Sequence, residues 1–332
     1  MAVNVRILSV GSYAPRRILS NRDLEQIVDT SDEWITTRTG IKERRIAAAD
    51  EATSDLAYEA SKVALERAGL TARDIDLILV ATSFPDMPVP STACLLQHRL
   101  GVAGSIAFDL QAACSGFVYG LHTARAFLTS GMHRTALVVG AEVLSRILDW
   151  GERSTCVLVG DGAGAVVLRA EELPGERPTT GILSSYLGAD GSNWELIQIP
   201  AGGSRLPASE ETVRKGLHFY RMQGGETFKY ATRLMGEACE MALREAGLSL
   251  HDVDFLIPHQ ANLRILAAAA RRLDLPMDRV VVAVDRYGNT SNASIPIALD
   301  EAMQDGRVGP GTTAVLVAFG GGATWGAAVV RF

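Results

Sequence analysis

The sequence has few cysteines and no long apolar run. Only Cys94, Cys114, Cys156 and Cys239 occur among 332 residues, which argues against a fold held by disulfides and fits a reducing compartment. No apolar run reaches the roughly 18 residues that a membrane-spanning helix needs, and the first residues lack the layout of a secretion signal. We therefore expect a cytoplasmic protein that is not inserted in a membrane.

Basic residues are not in excess either. The formal net charge is −6, which argues against nucleic acid as a partner. No paired spacing of cysteines or histidines indicates a metal site. The composition, 47% hydrophobic and 21% charged, is that of an ordinary soluble chain, long enough for one large or two medium domains.

One cysteine has the surroundings of a nucleophile. The apolar run Ile106–Leu110 leads into Ala112–Phe117, and a helical pattern of apolar residues follows. Cys114 is therefore expected where a strand turns into a helix, where unpaired N–H groups and the helix dipole favour a thiolate. A buried, inert cysteine is the alternative, and this stretch alone does not decide between the two.

An internal repeat organises the chain. The segment ALERAGLTARDIDLIL from Ala64 recurs as ALREAGLSLHDVDFLI from Ala242, at an offset of 178 residues. The strand-like run Thr135–Val139 recurs at the same offset as Thr313–Val317. Helices that end at glycine and lead into buried strands indicate βα units, so we predict an α/β fold of two duplicated halves.

The repeat also predicts a shared centre. We assign residues 1–172 to the first half and residues 173–332 to the second, with the boundary in the proline-, glycine- and charge-rich stretch 171–180. The offset places Cys114 opposite Asn292, just before a second helical pattern. Two equivalent helix starts would then face one centre, where ligands of α/β folds tend to bind.

Three stretches are interpreted as connections. We interpret Trp34–Ile41 as a polar connection and Val157–Leu168 as a hairpin. Gly188–Gly225 is interpreted as a long irregular passage. Passages of this length are usually lids or binding loops. The glycines at 160–164 suggest a phosphate loop, but they lie between two strands rather than before a helix. We therefore reject a dinucleotide site.

Three further stretches can reach a central cleft. His259 ends a strand-like run, Asn289 lies in a turn, and Gly320–Gly322 follow a buried strand. Backbone without side chains can approach a ligand closely and point N–H groups at an oxyanion. Each stretch also has a structural interpretation, as a capping histidine, a turn asparagine or a hairpin turn. A papain-type protease is disfavoured because its local cysteine signature is missing.

Seven motifs between Val3 and Phe332 resemble those of the β-ketoacyl-[acyl-carrier-protein] synthase III enzymes of the thiolase superfamily. They are DTSDEWITTRTGI, AACSGF, GDGAGAVVL, LGADG, PHQANLRI, GNTSNAS and FGGGATWG. Degradative thiolases would carry a second cysteine near the C-terminal glycines, and elongating synthases use a second histidine where this chain has Asn289. Asn292 departs from the alanine that is frequent in the family. The resemblance implies a thiolase-like fold with a layered α-β-α-β-α core.

The resemblance implies a decarboxylative Claisen condensation that initiates fatty acid synthesis. Cys114 would accept the acyl group of acyl-CoA, and the N–H groups of Cys114 and Gly321 would form the oxyanion hole. His259 and Asn289 would stabilise the enolate formed when malonyl-acyl-carrier protein loses CO₂, and Phe319 would crowd the malonyl carboxylate. No cofactor is expected, because acyl-CoA is a substrate.

The resemblance also assigns binding residues. Trp34 would stack on the adenine of CoA beside Arg38 and Arg153, although a half-buried anchor is the alternative, and Asn262 would bond the pantetheine arm. Acidic acyl-carrier protein would dock on a basic patch, which a solvated helix face also explains. The residues of this basic patch are Lys229, Arg233, Arg264, Arg271 and Arg272.

The proline loop Phe84–Pro90 matches the family segment that reaches the acyl pocket of a partner subunit, which implies a homodimer. Val89 in this loop is smaller than the phenylalanine often found there, so we expect room for primers larger than acetyl, including branched ones. One alternative is a related priming ketosynthase or acyltransferase of secondary metabolism. Another, of a different class, is a non-catalytic scaffold subunit, against which the intact Cys114, His259 and Asn289 argue.

Overall fold

The structure is a computed structural model and describes residues 2–173 and 178–332. The strands are β1 (Ala2–Tyr13), β2 (Arg17–Ser20), β3 (Glu43–Ile46), β4 (Leu77–Ala81), β5 (Ile106–Leu110), β6 (Thr135–Glu142), β7 (Gly162–Leu173), β8 (Gly181–Ala189), β9 (Ile197–Gln198), β10 (Arg221–Met222), β11 (Phe255–Pro258), β12 (Thr313–Gly320) and β13 (Thr324–Arg331). The α-helices are α1 (Asn21–Leu24), α2 (Asp32–Thr39), α3 (Thr53–Ala68), α4 (Thr92–Arg99), α5 (Gly116–Thr129), α6 (Arg153–Cys156), α7 (Glu210–Arg214), α8 (Gly224–Ala246), α9 (Leu263–Arg272), α10 (Val284–Tyr287) and α11 (Ser294–Gln304).

Two sheets repeat one arrangement of strands. The first has the order β1-β7-β6-β4-β5 and the second the order β8-β13-β12-β11. Strands β4 and β6 of the first sheet and β11 and β12 of the second form equivalent parallel pairs. On one side of each pair the strands continue antiparallel, through β7 to β1 and through β13 to β8. In the first sheet, β5 pairs with the other side of β4 in parallel. The second sheet has no full counterpart of β5 among the described residues, where Val280 makes only a single bridge to Leu256.

The predicted layers are confirmed. Helices α5 and α11 lie between the two sheets, while α3 and α4 cover the outer face of the first sheet and α8 and α9 that of the second. The order is therefore α-β-α-β-α. Helices α5 and α11 begin at Gly116 and Ser294, the offset found in the sequence. The boundary between the halves remains a prediction, and residues 174–177 of that stretch lie outside the described residues.

Local sequence explains the repeated elements. Helices α3 and α8 end at Gly69 and Gly247, which have φ values of 65° and 71°, a left-handed conformation that glycine adopts without a steric penalty. Strands β4, β6 and β12 are buried along their whole length, because helices cover both faces of each sheet. None of the helices in the described ranges is long and apolar enough to cross a membrane.

Two sequence interpretations were wrong. Trp34–Ile41, predicted as a polar connection, is mostly helix α2, whose N-cap Ser31 accepts a hydrogen bond from the N–H of Trp34. Only Ile35 and Thr39 of this helix are buried, so its apolar pattern is weak. Val157–Leu168 is not a hairpin, since β7 begins at Gly162 and pairs with β1 and β6.

The backbones of the two halves are in direct contact where α5 and α11 begin. A Cβ atom added at Gly140 of β6 would lie 2.1 Å from the carbonyl oxygen of Asn292. A Cβ atom added at Gly320 of β12 would lie 2.6 Å from the backbone nitrogen of Cys114. Only glycine permits contacts this close, so these two residues allow the halves to meet around Cys114.

Replacing Gly140 with alanine should destabilise the protein, because the added methyl group overlaps the Asn292 carbonyl. We expect the free energy of unfolding in urea to fall by about 2–3 kcal/mol. Gly309→Ala is the control, since a Cβ atom there meets nothing within 4 Å. Equal stability of the two variants would show that the halves do not meet as described.

Candidate active site

Cys114 lies in the turn between β5 and α5, as predicted. The residue before it, Ala113, has a φ of 45°, a strained conformation of the kind found at functional sites. The second half holds this turn in place, because the Thr324 hydroxyl donates to the carbonyl of Ala112 at 2.7 Å. The Ser115 hydroxyl donates in return to the carbonyl of Thr324 at 3.0 Å.

The electrostatics at the sulfur differ from the sequence expectation. Burial, with a smaller contribution from the charge of Glu142, raises the pKa of the Cys114 thiol to about 11. Two hydrogen bonds oppose this rise, one from the backbone of Cys114 itself and a more effective one from the Ser291 hydroxyl, which donates to the sulfur at 3.4 Å. The resting side chain is therefore a neutral thiol, because the cost of burying a charge exceeds the benefit from the helix start.

His259 is held as a neutral imidazole. Its Nδ1 lies 2.7 Å from the hydroxyl oxygen of Ser294, and that oxygen accepts the backbone N–H of Gln260 at 3.3 Å. We assign the Ser294 proton to the hydrogen bond with Nδ1, which leaves the ring proton on Nε2. Burial lowers the pKa of His259 to about 4, so the ring is an uncharged donor at neutral pH.

Asn289 supplies a second neutral donor. Its side-chain oxygen accepts the backbone N–H of Ser291 at 2.9 Å, and its backbone N–H donates to the carbonyl of Leu158 at 2.8 Å. Because the side-chain oxygen is engaged, the amide nitrogen is the end that remains to face a ligand. Its orientation is therefore set by the turn that follows it.

Cys114, His259 and Asn289 converge on one cavity of about 610 Å³, which Phe319 also lines. A second cavity of about 460 Å³ shares Cys114 and Asn289 with the first and is lined by Gly321. The sulfur thus lies at the junction of two cavities. This arrangement places a nucleophile beside two uncharged donors, which is suited to an acyl group and to charge that develops on a carbonyl oxygen.

The residues predicted to bind CoA are connected to the first cavity through Arg38, which lines it and lies against Trp34. The guanidinium carbons of Arg38 and Arg153 are 4.5 Å and 5.0 Å from the centre of the Trp34 ring. Asn262 lines this cavity, but its side chain is engaged. It donates to the carbonyl of Arg38 at 3.1 Å and accepts the N–H of Arg264 at 2.8 Å, so it fixes the start of α9 against α2.

The predicted basic patch is partly neutralised. Lys229 pairs with Glu226, while Arg233 and Arg272 both pair with Glu237. Lys229 and Arg264 line the first cavity, whereas Arg271 is exposed at the end of α9. Two of the five patch residues therefore line the cavity, and fewer charges are available than the sequence suggests.

Val89 is not part of either cavity in its own chain. Its side chain is 83% exposed, on the loop between β4 and α4.

Within residues 2–173 and 178–332, no three His, Cys, Asp or Glu side chains lie together as metal ligands would.

Sequence reasoning missed four residues at this centre. Ser291 and Ser294 belong to the motif GNTSNAS and are hydroxyl donors next to Asn289, which was a usable signal. Glu142 is a charged residue at the end of a buried strand, which is uncommon. Tyr220 lines both cavities from within the irregular passage, where no pattern marked it.

Known proteins are similar to this chain along nearly its whole length. The family model described as 3-oxoacyl-[acyl-carrier-protein (ACP)] synthase III matches residues 108–191, and the model of its C-terminal part matches residues 243–332. The β-ketoacyl-[acyl-carrier-protein] synthase III of Caldanaerobacter subterraneus subsp. tengcongensis is 55% identical over 326 residues, 98% of this chain and 97% of that protein.

Solved structures agree with this similarity. The crystal structure of 3-oxoacyl-[acyl-carrier-protein] synthase III from Aquifex aeolicus VF5 has a TM-score of 0.89 at 47% identity and covers 99% of this chain and 100% of its own. The priming β-ketosynthase of the R1128 polyketide biosynthetic pathway has a TM-score of 0.89 at 36% identity and covers 99% of this chain and 96% of its own.

Lowering the pH from 7 to 5 should destabilise the protein through His259. The unfolded chain takes up a proton on this imidazole near pH 6.5, whereas burial lowers the folded pKa to about 4. The free energy of unfolding should therefore fall by about 2 kcal/mol over this range. Urea unfolding of the wild type and of His259→Gln at both pH values measures this, and an equal pH dependence of the two would contradict it.

Proposed function

The chain belongs to the 3-oxoacyl-[acyl-carrier-protein] synthase III family, and from this premise we propose which of its residues carry out the reaction. The enzyme condenses an acyl-CoA primer with malonyl-acyl-carrier protein, releases CO₂ and yields a β-ketoacyl-acyl-carrier protein, which initiates fatty acid synthesis. The observation that carries the assignment is the meeting of Cys114, His259 and Asn289 on one cavity.

In the first stage, Cys114 accepts the primer. Its sulfur attacks the thioester carbonyl of acyl-CoA, the carbonyl oxygen becomes negative, and CoA leaves when the tetrahedral intermediate collapses. The backbone N–H groups of Cys114 and Gly321 hold this oxygen, a contribution that is typically worth about 3–4 kcal/mol for each donor. One thioester replaces another, so no further energy source is required.

In the second stage, the malonyl group loses CO₂ and its electrons move onto the thioester oxygen as an enolate. The Nε2–H of His259 and the amide N–H of Asn289 stabilise this oxygen. Both donors are uncharged, so they bind the enolate without binding the malonyl carboxylate strongly beforehand. Phe319, 4% exposed, presents an apolar surface to that carboxylate, and the enolate carbon then attacks the acyl group on Cys114.

CoA binding is proposed at Trp34, Arg38 and Arg153, where an aromatic ring and two guanidinium groups suit an adenine and its phosphates. Asn262 contributes by holding α9 and by the remaining N–H of its amide, which can reach a pantetheine arm. The chemistry requires no cofactor.

Docking of acyl-carrier protein is proposed on the basic patch. Arg264 and Arg271 are its principal cations, because Lys229, Arg233 and Arg272 already pair with glutamates. An acidic carrier protein at this position would place its pantetheine arm at the mouth of the first cavity, which Arg264 lines.

A homodimer is proposed from the edge of the first sheet. Strand β5 lies at that edge, and unpaired edge strands normally require cover. Met87, Val89 and Ile106 beside it are exposed. In the dimer, Val89 would close the acyl pocket of the partner subunit and so limit the size of the primer.

A priming ketosynthase of secondary metabolism remains the second candidate, since the polyketide enzyme of similar structure has the same architecture. It would use the same three residues and differ in its primer. A non-catalytic scaffold is disfavoured, because it would have no need to hold His259 and Asn289 as oriented donors.

Incubation with acetyl-CoA should leave an acetyl group on Cys114, observable by mass spectrometry. Cys114→Ala should lose this adduct, whereas Cys94→Ala, at an exposed cysteine, should retain it. His259→Ala and Asn289→Ala should retain the adduct but slow condensation with malonyl-acyl-carrier protein by about 100-fold or more. Absence of the adduct from the wild type would refute the proposed function.

Primers larger than acetyl should be accepted. We expect measurable kcat/KM with isobutyryl-CoA. In Val89→Phe, the ratio of kcat/KM for isobutyryl-CoA to kcat/KM for acetyl-CoA should fall about 10-fold, because the larger side chain would occupy the partner's pocket. Val213→Phe, at an exposed position on α7, is the matched control. A wild type that uses acetyl-CoA and ignores isobutyryl-CoA would contradict the role of Val89.

A further inference from the structure

The proposed mechanism leaves a buried cation unused. Arg44, on β3, is 0% exposed, and its hydrogen-bond acceptors are neutral. Its Nη1 donates to the Leu19 carbonyl at 3.1 Å and to the Asn21 side-chain oxygen at 2.9 Å, and its Nη2 donates to the Val157 carbonyl at 2.6 Å. Burial lowers the pKa of Arg44 to about 10, so the side chain is still charged at neutral pH. Burying a cation with neutral partners alone is costly, which suggests a role.

Strand β3 holds both ends of the segment 157–161, which leads into β7. At one end, the Arg44 side chain donates to the Val157 carbonyl. At the other end, the backbone N–H of Asp161 donates to the carbonyl of Arg45 at 2.8 Å. The segment is therefore fixed to the same strand before and after its middle residues.

The middle of this segment binds the backbone of Asn289. The N–H of Asn289 donates to the Leu158 carbonyl at 2.8 Å, and the carbonyl of Asn289 accepts the N–H of Gly160 at 3.0 Å. The Asn289 side-chain oxygen accepts the N–H of Ser291. These three contacts engage every polar group of Asn289 except the amide nitrogen that the mechanism uses.

The stem of Arg44 packs where the segment meets the turn that carries Asn289. A Cβ atom added at Gly160 would lie 3.1 Å from the Cβ atom of Arg44, and one added at Gly288 would lie 3.3 Å from it. The added Cβ atom at Gly160 would also lie 2.3 Å from the carbonyl oxygen of Tyr287. Glycine at position 160 therefore permits the direct contact between the two backbones.

An arginine is suited to this position. Its planar guanidinium group carries N–H donors on separate nitrogens, so one side chain bridges Asn21 on α1 and the Val157 carbonyl. A lysine ammonium is a single point of charge and would lose this bridge.

We propose that Arg44 is a positioning residue for the second stage of the reaction, a proposal that rests on the function inferred above. Through the segment 157–161 it fixes the backbone of Asn289, and it thereby directs the amide N–H at the thioester oxygen that becomes an enolate. The first stage does not use this amide. Arg44 should therefore matter for condensation but not for acyl transfer to Cys114.

The two stages can be measured separately. In Arg44→Gln and Arg44→Lys, acetylation of Cys114 at saturating acetyl-CoA should keep the wild-type rate. Condensation of the isolated acetyl-enzyme with malonyl-acyl-carrier protein should be about 10-fold slower or more, because a misplaced donor loses much of its effect. When added to Asn289→Ala, Arg44→Gln should slow condensation no further, since the group that it positions is already absent.

Arg67→Lys is the matched control. Arg67 also donates to a backbone carbonyl, that of Val10 at 2.7 Å, but it lines neither cavity, so both stages should keep their wild-type rates. Equal slowing of both stages in Arg44→Gln, or further slowing when it is added to Asn289→Ala, would show a general structural role and overturn the proposal. Condensation at the wild-type rate in Arg44→Gln would overturn it as well.

If neither Arg44 variant folds, Gly160→Ala decides, because its methyl group displaces the turn and leaves Arg44 in place. Slower condensation with unchanged acetylation would support the proposal, and wild-type condensation would overturn it. Failure of the wild type to form the acetyl adduct would instead refute the underlying function.

Discussion

The turns from which the two central helices begin are held together by hydrogen bonds between buried polar groups. A buried carboxylate and a free helix N–H would each cost several kcal/mol if left unpaired. Asn292 satisfies both, with one end on Glu142 and the other on Phe117. Since both partners belong to the first half and Asn292 to the second, the contacts that close the fold also determine where Cys114 lies.

The repeated parts of the fold could be predicted because duplication preserves spacing. Strands β4 and β11, strands β6 and β12, and helices α5 and α11 all begin 178 residues apart. Helix α2 could not be predicted from its pattern, because it rests on the surface with only two buried residues. The pairing of β7 was misjudged for another reason. Local alternation identifies a strand, but its partner β1 lies far away in the sequence.

Cys114, His259 and Asn289 could be found from motifs, but their orientation and charge could not. The hydroxyl on the His259 ring comes from 35 residues further along the chain, and the one on the Cys114 sulfur from 177 residues away. The expectation of a thiolate failed because it considered the helix start alone. Burial acts on the same sulfur in the opposite direction, and only the assembled fold reveals that burial.

The irregular passage between β8 and α8 supplies Ile197 and Tyr220 to the walls of both cavities. The reacting groups, by contrast, belong to turns that join the sheets to the helices of the layered core. Selectivity and reactivity are therefore encoded in separate stretches of sequence. Substitutions at Ile197 or Tyr220 would therefore change the shape of both cavities without altering the turns that carry Cys114, His259 and Asn289.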